Sequence, residues 1–495
     1  MNRRRFTKIA AAAVIPASCH RQPVSPPAFN TLHQLAAQLR DGATSPALLV
    51  EHCLDRIARL DGTGTNGIRA ILEQNPAARS LAATCKPGPL FGLPILIKDK
   101  IETADSMQTT AGSLALMDRR PKHDAALVQR LREAGAIILG KTNLSEWANI
   151  RSPNSTSGWS ARGGLTRNPH KLTHSASGSS SGSAAAVAAG LAPAAIGTET
   201  NGSIVSPASA CGIVGFKPTV GLISGAGIIP ITHHQDTAGP MTLTVRDAAL
   251  LMQVLGGILP FDLPSDSLKG ARLGVLREQS GKHPQVLSIF DKALETMREA
   301  GAVIIDNVKL PRMREAGTLS FQAMLVELRT DLNAYLERRG GDVASLAELI
   351  AFNEQHRDVE MPHFGQEFFE QAEKLGSPEI IAAGEEARAL ARRLAGPEGI
   401  DAVLHAHNLD ALICPTNDPA GMIDLKRGDD HVRVASTPAA IAGYPHLTVP
   451  MGFVDGLPVG LSFIGSAGTD TQILALGHAF ETVAEAWRPP AVIAG

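Results

Sequence analysis

Two serine-rich segments and one lysine are the residues of this sequence whose types and spacing could carry out chemistry. Ser177 to Ser183 holds five serines and two glycines in seven residues, and Gly197 to Ala208 carries Ser203. Lys98 ends an apolar run that begins at Leu93. A serine hydroxyl becomes a useful nucleophile beside a base, and a lysine can be that base if its pKa falls from about 10.4. These residue types suggest nucleophilic catalysis by a serine.

The segment that contains both serine-rich runs is almost free of charge. Leu172 to Phe216 spans 45 residues with one charged side chain, Glu199, whereas the chain average of 19% would give eight or nine. A solvated Ser/Gly linker would not lie inside such a segment. We expect it to line a dry pocket or cross the core, where burial lowers the pKa of Lys98. Asp99 comes next but points to the opposite face of the strand, so it need not pair with that lysine.

The same serine run is open to a different interpretation. Gly178 to Gly182 satisfies G-x-S-x-G with Ser180 at its centre, the pattern of a nucleophile elbow. A Ser-His-Asp hydrolase would also need a downstream acid and a histidine. The chain offers these candidate histidines, none in a distinctive context: His233, His234, His405, His407 and His446. None has a carboxylate pattern beside it, so we expect no metal site.

The elements that must position these residues follow an α/β pattern. Ser45 and Pro46 begin an amphipathic helix. Two stretches, 125–139 and 286–305, each run from a helix through a glycine into an apolar strand, and further apolar strands are predicted at 93–97, 411–416 and 447–450. Such strands belong in a sheet covered on both faces. We predict a large mixed, mostly parallel central sheet covered by helices on both faces.

The chain divides into a leader and one domain. Arg3, Arg4, Arg5 and Lys8 precede the apolar stretch 9–17, and this start resembles a twin-arginine export signal. We predict an export signal and Pro-rich linker over 1–28 and a single domain over 29–495, with a peripheral helical region at about 262–393. The protein is then periplasmic or exported, and cytoplasmic if the leader is not functional. A partial lipoprotein box makes a lipid anchor at Cys19 a weaker alternative.

Four segments together resemble the amidase signature family. Ser177 to Ser183, Gly197 to Ala208 and Gly212 to Thr219 are similar to its signature region, and Gly92 to Asp99 is similar to its lysine strand. The resemblance runs from about residue 30 to the C-terminus. It implies the amidase-signature fold and hydrolysis of an amide through a serine acyl-enzyme.

The resemblance also implies roles for individual residues. The catalytic lysine falls on Lys98, the bridging serine, held by a cis peptide in this family, on Ser179, and the acyl-forming serine on Ser203. The implied backbone oxyanion donors are Thr200, Asn201, Gly202 and Ser203.

Three further segments, 144–149, 157–164 and 197–200, are most similar to bacterial peptide amidases. That subgroup releases ammonia from the C-terminal amide of peptides, so we expect a peptide amide or another small amide as substrate. Asn201 stands where the subgroup has Asp, which removes a carboxylate from the site, and Lys100 replaces an Asn. Candidate pocket residues are Trp147, Trp159, Arg162 and Ser180.

Composition argues against several other classes of protein. The chain has 46 Lys and Arg against 48 Asp and Glu, so it lacks the basic excess of a nucleic-acid binder. It has no apolar run of 18 residues, so we expect no membrane span. We expect no cofactor. Two alternatives within the fold are the amidotransferase A subunit for misacylated tRNA and a catalytically dead binding protein, which would usually have lost Lys98, Ser179 or Ser203.

Overall fold

The computed structural model describes residues 29–62, 64, 66–257, 263–429 and 435–490. The predicted export signal and linker at 1–28, with Cys19, lie outside the described residues. Within the described ranges, no helix combines the length and the apolar character needed to cross a membrane.

A mixed sheet of eleven strands forms the centre of the fold, and two small hairpins lie beside it. In chain order the strands are β1 (Ile71–Gln74), β2 (Pro94–Lys98), β3 (Ile137–Thr142), β4 (Trp159–Ser160), β5 (Gly164–Leu165), β6 (Arg167–Asn168), β7 (Lys171–Ser175), β8 (Ala194–Glu199), β9 (Val214–Lys217), β10 (Thr237–Thr242), β11 (Arg272–Val275), β12 (Val303–Ile305), β13 (Ala411–Pro415), β14 (His446–Val454) and β15 (Leu457–Ile464). Strands β4 with β5 and β6 with β7 make the hairpins.

Across the central sheet the order is β1-β3-β2-β8-β10-β9-β14-β15-β13-β11-β12. In the described part of the chain, β2 runs parallel to β3 and β8, and β11 runs parallel to β12 and β13. The remaining neighbours are antiparallel. The predicted large mixed sheet is confirmed. Parallel pairing is confined to two groups of three strands, a smaller share than the apolar strands suggested, because β10, β9, β14 and β15 alternate in direction between them.

Helices cover both faces of this sheet. In chain order they are α1 (Leu32–Arg40), α2 (Pro46–Leu60), α3 (Ala78–Thr84), α4 (Ala126–Glu133), α5 (Ser181–Ala188), α6 (Val205–Cys211), α7 (Val245–Leu255), α8 (Pro284–Glu299), α9 (Met313–Arg339), α10 (Leu346–Gln355), α11 (Arg357–Glu360), α12 (Glu367–Glu373), α13 (Pro378–Ala395), α14 (Ala402–His407), α15 (Thr437–Ala442) and α16 (Asp470–Ala484). Short 3-10 turns lie at Leu114–Leu116, Glu146–Asn149 and Arg277–Gln279, and a π-helical turn lies at Gly396–Asp401.

Strand β2 shows how the two faces are built. Ile95 and Ile97 belong to the apolar cluster formed by α1, α4, α7, α8 and α16, whereas Leu96 belongs to the cluster of α2, α3, α5 and α6. This alternation follows from the two-residue period of a strand. Lys98, two residues after Leu96, therefore lies on the face covered by α5 and α6. The predicted strand and its burial on both faces are confirmed.

The predicted peripheral helical region is narrower than 262–393. Strands β11 and β12 are part of the central sheet, and α8 packs on that sheet through Phe290 and Leu294. The apolar residues of 272–305 are spaced to cover the sheet, which outweighs the local rise in charge. Helices α9 to α13 (313–395), here called the peripheral helices, make up the rest of the region.

A glycine in the first turn of α5 permits a close approach that places the serine-rich run. A Cβ at Gly182 would lie 2.5 Å from the Asn143 carbonyl oxygen and 2.7 Å from its nitrogen, and also against the Ala70 carbonyl. These are backbone atoms, which cannot rotate away. The helix can approach the ends of the neighbouring strands only because this residue has no side chain.

We predict that Gly182→Ala lowers the free energy of unfolding by about 1–3 kcal/mol or more, the usual result of overpacking. The matched control is Gly317→Ala inside α9, where nothing lies within 4 Å of the added Cβ. That change should stabilise by about 1 kcal/mol through helix propensity. Urea unfolding of both variants measures the difference, and equal shifts would contradict the role given to Gly182.

Candidate active site

Lys98 lies at the end of β2 with its amine fully buried against the two serine-rich segments. Its Nζ lies 2.7 Å from Ser179 Oγ, 2.9 Å from Ser180 Oγ and 3.2 Å from the Thr198 carbonyl oxygen. Asp99 lies on the opposite side, where its carboxylate accepts hydrogen bonds from Thr110. The predicted separation of Lys98 from its neighbouring acid is confirmed.

These three contacts define the direction of the lysine lone pair if the amine is neutral. The Thr198 carbonyl can only accept, so it takes one N–H. Ser180 Oγ donates to the same carbonyl over 3.1 Å, so its own proton is engaged and it accepts the second N–H. The lone pair of Lys98 is then left for Ser179, whose hydroxyl can donate to it. Ser180 thus orients the lysine.

Burial lowers the pKa of Lys98 well below its usual value of 10.5, and the nearby charge of Lys100 adds to this effect. The carboxylates of Asp236 and Glu199 act in the opposite direction and are smaller causes. Glu199 is itself used elsewhere, because its Oε2 accepts the N–H groups of Ile204 and Val205 at the start of α6. The pKa of Lys100 is also lowered by burial.

The two serine segments are held together by their backbones. The peptide bond between Gly178 and Ser179 is cis, as the resemblance implies. The N–H of Ser180 donates to the Ser203 carbonyl over 3.1 Å. This bond joins the segment that carries Ser179 to the segment that carries Ser203. The structure therefore brings Lys98, Ser179 and Ser203, which are distant in sequence, into one place.

Consecutive backbone N–H groups are open beside Ser203. In the part of the chain that the structure describes, the N–H groups of Asn201, Gly202 and Ser203 donate to no protein acceptor. Gly202 has φ +82°, a left-handed conformation suited to glycine. All three residues line the cavity described next. Unpaired N–H donors at a cavity wall are suited to binding an oxyanion.

A cavity of about 520 Å³ opens over Ser203, which is 9% exposed. Its wall is mostly small and polar. The lining residues are Ala148, Asn149, Ser152, Pro153, Asn154, Ser155, Ser157, Ser175, Ser177, Gly178, Asn201, Gly202, Ser203, Ser206, Ala210, Phe368, Asn417, Ala420, Gly421, Met422, Arg427 and Asp429. Phe368 comes from α12, so the peripheral helices contribute to the entrance.

The four predicted pocket residues lie outside this lining. Trp147 packs edge-on against Phe369, and Trp159 packs against Phe364 in a separate apolar cluster. Arg162 forms ion pairs with Glu73 and Asp99. Ser180 orients the lysine, as described above. The packing of these side chains depends on partners far along the chain, which the sequence does not reveal.

The elbow interpretation of Ser180 does not fit the structure. The hydrogen bonds of its side chain go to Lys98 and Thr198, and His446 is instead bonded to Ser462 over 2.7 Å. His233 pairs with Asp331, at 2.9 Å. Among the described residues, no group of three or more His, Cys, Asp or Glu side chains is placed to hold a metal ion.

The sequence did not reveal the residues that hold Thr200, which comes directly before the open donors. Gln235 and Asp236 both bond Thr200, through its carbonyl and its hydroxyl. In the sequence they belong to a short polar run, residues 233–236, in which the two adjacent histidines are the more distinctive candidates for catalysis. Asn417, from the C-terminal part of the chain, was also missed as a cavity residue.

A buried lysine bonded to Ser179 and Ser180, beside open N–H donors and Ser203, is an arrangement suited to acyl transfer. A family model described as Amidase matches residues 49–474. A probable amidase of Arabidopsis thaliana is 36% identical over 94% of this chain and 92% of its own length. The chain belongs to the amidase signature family and is an amide hydrolase.

Two further comparisons bear on its place in that family. The crystal structure of the peptide amidase PAM with the competitive inhibitor chymostatin is 46% identical, covers 93% of this chain and 99% of that chain, and has a TM-score of 0.88. The A subunit of the glutamyl-tRNA(Gln) amidotransferase of Chloroflexus aurantiacus is 34% identical over 92% of this chain and 98% of its own.

We predict that the stability difference between the wild type and Lys98→Met depends on pH. Between the lowered pKa of Lys98 in the folded state and its usual 10.5, the unfolded chain binds more protons than the folded one. Stability of the wild type therefore rises with pH in this window, by up to about 1.4 kcal/mol per pH unit relative to Lys98→Met. Urea unfolding of both proteins at pH 7, 8, 9 and 10 measures this. A constant difference across these pH values would mean that the lysine keeps an ordinary pKa.

Proposed function

We propose that this enzyme hydrolyses amides through an acyl-enzyme on Ser203, with Ser179 and Lys98 as the proton relay. We propose as substrates the C-terminal amides of peptides or other small amides, which release ammonia. The observation that supports this most directly is the row of open N–H groups at residues 201–203, placed at the cavity wall beside the proposed nucleophile.

The first half of the reaction forms the acyl-enzyme. Neutral Lys98 takes the Ser179 proton along the 2.7 Å contact, and Ser179 takes the Ser203 proton as the Ser203 oxygen bonds to the amide carbon. The carbonyl oxygen becomes an oxyanion and is stabilised by the open N–H donors. The relay then returns a proton to the amide nitrogen, the C–N bond breaks, and ammonia leaves.

The second half consumes water. A water molecule loses a proton to the same relay and attacks the ester carbon of the acyl-enzyme. The C–O bond to Ser203 breaks, and Ser203 recovers its proton. The balance is amide plus water to carboxylic acid plus ammonia. A hydroxyl suits the middle position of the relay because it can both donate and accept.

The cavity wall supports a peptide-like substrate. A peptide amide carries alternating donors and acceptors, and the wall offers serine hydroxyls and the amides of Asn149 and Asn417. The similarity to a peptide amidase points in the same direction. Asn201 presents a neutral amide that bonds Ser436 and Thr437, so the site lacks the carboxylate expected at that position in the subgroup.

The amidotransferase alternative has one observation in its favour, the 34% identity that extends along nearly the whole chain. Against it stand the net charge of −2 and the greater identity to the peptide amidase. The dead-enzyme alternative is disfavoured, because Lys98 and both serines are present.

We predict that Ser203→Ala lowers turnover by roughly 10⁴-fold or more, as loss of a catalytic nucleophile does in other serine hydrolases. Ammonia release measures the rate, and intact-protein mass spectrometry detects the acyl adduct on the wild type. The control is Ser209→Ala in α6, the helix that follows Ser203, where the hydroxyl accepts the Gly460 N–H and lies outside the cavity lining. A Ser203→Ala protein that still forms an adduct would place the nucleophile elsewhere.

We predict that kcat/KM for short peptide C-terminal amides exceeds that for simple aliphatic amides by about tenfold or more, because the polar wall contacts the peptide beyond the reacting group. A panel of peptide amides, aliphatic amides, aryl amides and glutamine, each followed by ammonia release, tests this. Glutamine as the best substrate would instead favour the amidotransferase alternative.

A further inference from the structure

Thr200, the residue before the open donors, is held from one side by two consecutive residues. Gln235 Nε2 donates to the Thr200 carbonyl over 3.1 Å, and Thr200 Oγ1 donates to Asp236 Oδ1 over 2.5 Å. Gln235 is 1% exposed and lies outside the cavity lining. Gln235 therefore bonds the backbone of the proposed oxyanion site from the protein interior and not from the cavity.

The bond to the Thr200 carbonyl fixes more than that carbonyl. The Thr200 C=O and the Asn201 N–H belong to one planar peptide unit and point in opposite directions when it is trans. Within the described chain, the Gly178–Ser179 bond is the one cis peptide bond, so the peptide between Thr200 and Asn201 is trans. A donor that fixes where the carbonyl points also fixes where the Asn201 N–H points, which is away from Gln235.

The amide of Gln235 is itself held in one orientation. Its Oε1 accepts from Ser320 Oγ over 2.7 Å and from Arg388 Nη1. Rotating the amide by 180° would place its NH₂ against the guanidinium and its oxygen against the Thr200 carbonyl. Both new contacts would be repulsive, because donor would face donor and acceptor would face acceptor. Arg388 and Ser320 therefore ensure that the NH₂ faces Thr200.

Arg388 is fixed in turn by a buried carboxylate. Its Nε and Nη2 donate to the two Glu327 oxygens over 2.9 and 2.7 Å, a bidentate geometry that sets the plane of the guanidinium. Ser320 and Glu327 lie on α9 and Arg388 lies on α13. A continuous set of hydrogen bonds thus joins the peripheral helices to the backbone of the proposed oxyanion site.

We propose that Gln235 is a positioning residue for catalysis: held by Arg388 and Ser320, it aims the Asn201 N–H at the developing oxyanion. This inference rests on the proposed function, because it needs residues 201–203 to bind an oxyanion. It gives the peripheral helices a part in the reaction itself in addition to shaping the entrance.

Two variants test it. Gln235→Met removes the donor with little change of volume. Gln235→Glu keeps the acceptor for Arg388 and Ser320 but places an oxygen against the Thr200 carbonyl. Loss of a whole oxyanion donor typically costs about 10²–10³ in kcat, so a misaimed donor should lower kcat by about 10–100-fold in both variants. KM for a peptide amide should change by less than about threefold.

A second measurement separates positioning from a general loss of structure. A peptide aldehyde adds to the nucleophile and places an oxyanion on the same N–H donors, so its Ki should rise by a factor similar to the fall in kcat. Asn353→Leu is the control, since Asn353 is a buried amide on α10 that bonds Gln366. It should lower the melting temperature without changing kcat or the aldehyde Ki.

Ser320→Ala is the milder variant if both Gln235 variants fail to fold, and it should lower kcat by about two- to fivefold. Unchanged kcat and aldehyde Ki in a folded Gln235 variant would overturn the inference, and so would a loss shared equally by Asn353→Leu. Failure of the proposed function is distinguishable, because it would appear as a covalent adduct on Ser203→Ala.

Discussion

The burial of one lysine amine sets the conditions for the rest of the site. A charged ammonium loses its hydration when it is fully enclosed, so the neutral form is favoured, and only the neutral form has a lone pair to accept a proton. Lys98 meets this condition because the surrounding segment supplies hydroxyls and a carbonyl instead of carboxylates. A single ionised acid in contact with the amine would favour its protonated form, which could not serve as the base of the proposed mechanism.

This requirement explains the small residues that surround the lysine. Two serine segments can reach one amine only if the backbones that carry them approach closely. A Cβ at Gly197 would lie 2.7 Å from Met241 Sδ and 2.8 Å from Ser180 Oγ. Gly182 is restricted in the same way by backbone atoms. The Gly and Ser content that resembles a flexible linker is therefore the composition that a dry, close-packed site needs.

The sequence was sufficient to predict those elements whose structure is determined by nearby residues. The apolar run before Lys98 predicts strand β2 and its burial on both faces. The family resemblance pointed to Lys98, Ser179 and Ser203, and the structure places Lys98 against Ser179 and bonds the neighbouring Ser180 N–H to the Ser203 carbonyl. The sequence was insufficient where a side chain is defined by a distant partner. Trp147 and Trp159 are typical pocket residues by type, yet each packs against an aromatic ring more than 200 residues away in the chain, Phe369 and Phe364.

The same limit applies to Gln235, whose partner Arg388 is 153 residues away. A glutamine beside two histidines carries no local sign that its amide contacts the backbone of another segment. The region predicted to be peripheral, 262–393, shows a local pattern that was given too little weight. Its first part, 272–305, has the charge frequency of a surface region, but its apolar residues repeat with the spacing of a strand, a helix and a second strand of the sheet. In that part, residue spacing was a better guide than residue composition.

The charged pair in the peripheral helices does not disturb the uncharged surroundings of Lys98. Glu327 and Arg388 are held in a buried bidentate pair, so their opposite charges largely cancel at a distance, and neither is a cause of the shifted pKa of Lys98. Hydrogen bonds connect the pair to the site through the neutral amide of Gln235, which accepts from Arg388 and donates to the Thr200 carbonyl. The amide of Gln235 fixes the direction of the Thr200 carbonyl through its hydrogen bonds without adding a net charge. The peripheral helices can therefore fix the geometry of the site without adding a carboxylate that would raise the pKa of Lys98, the base of the proposed mechanism.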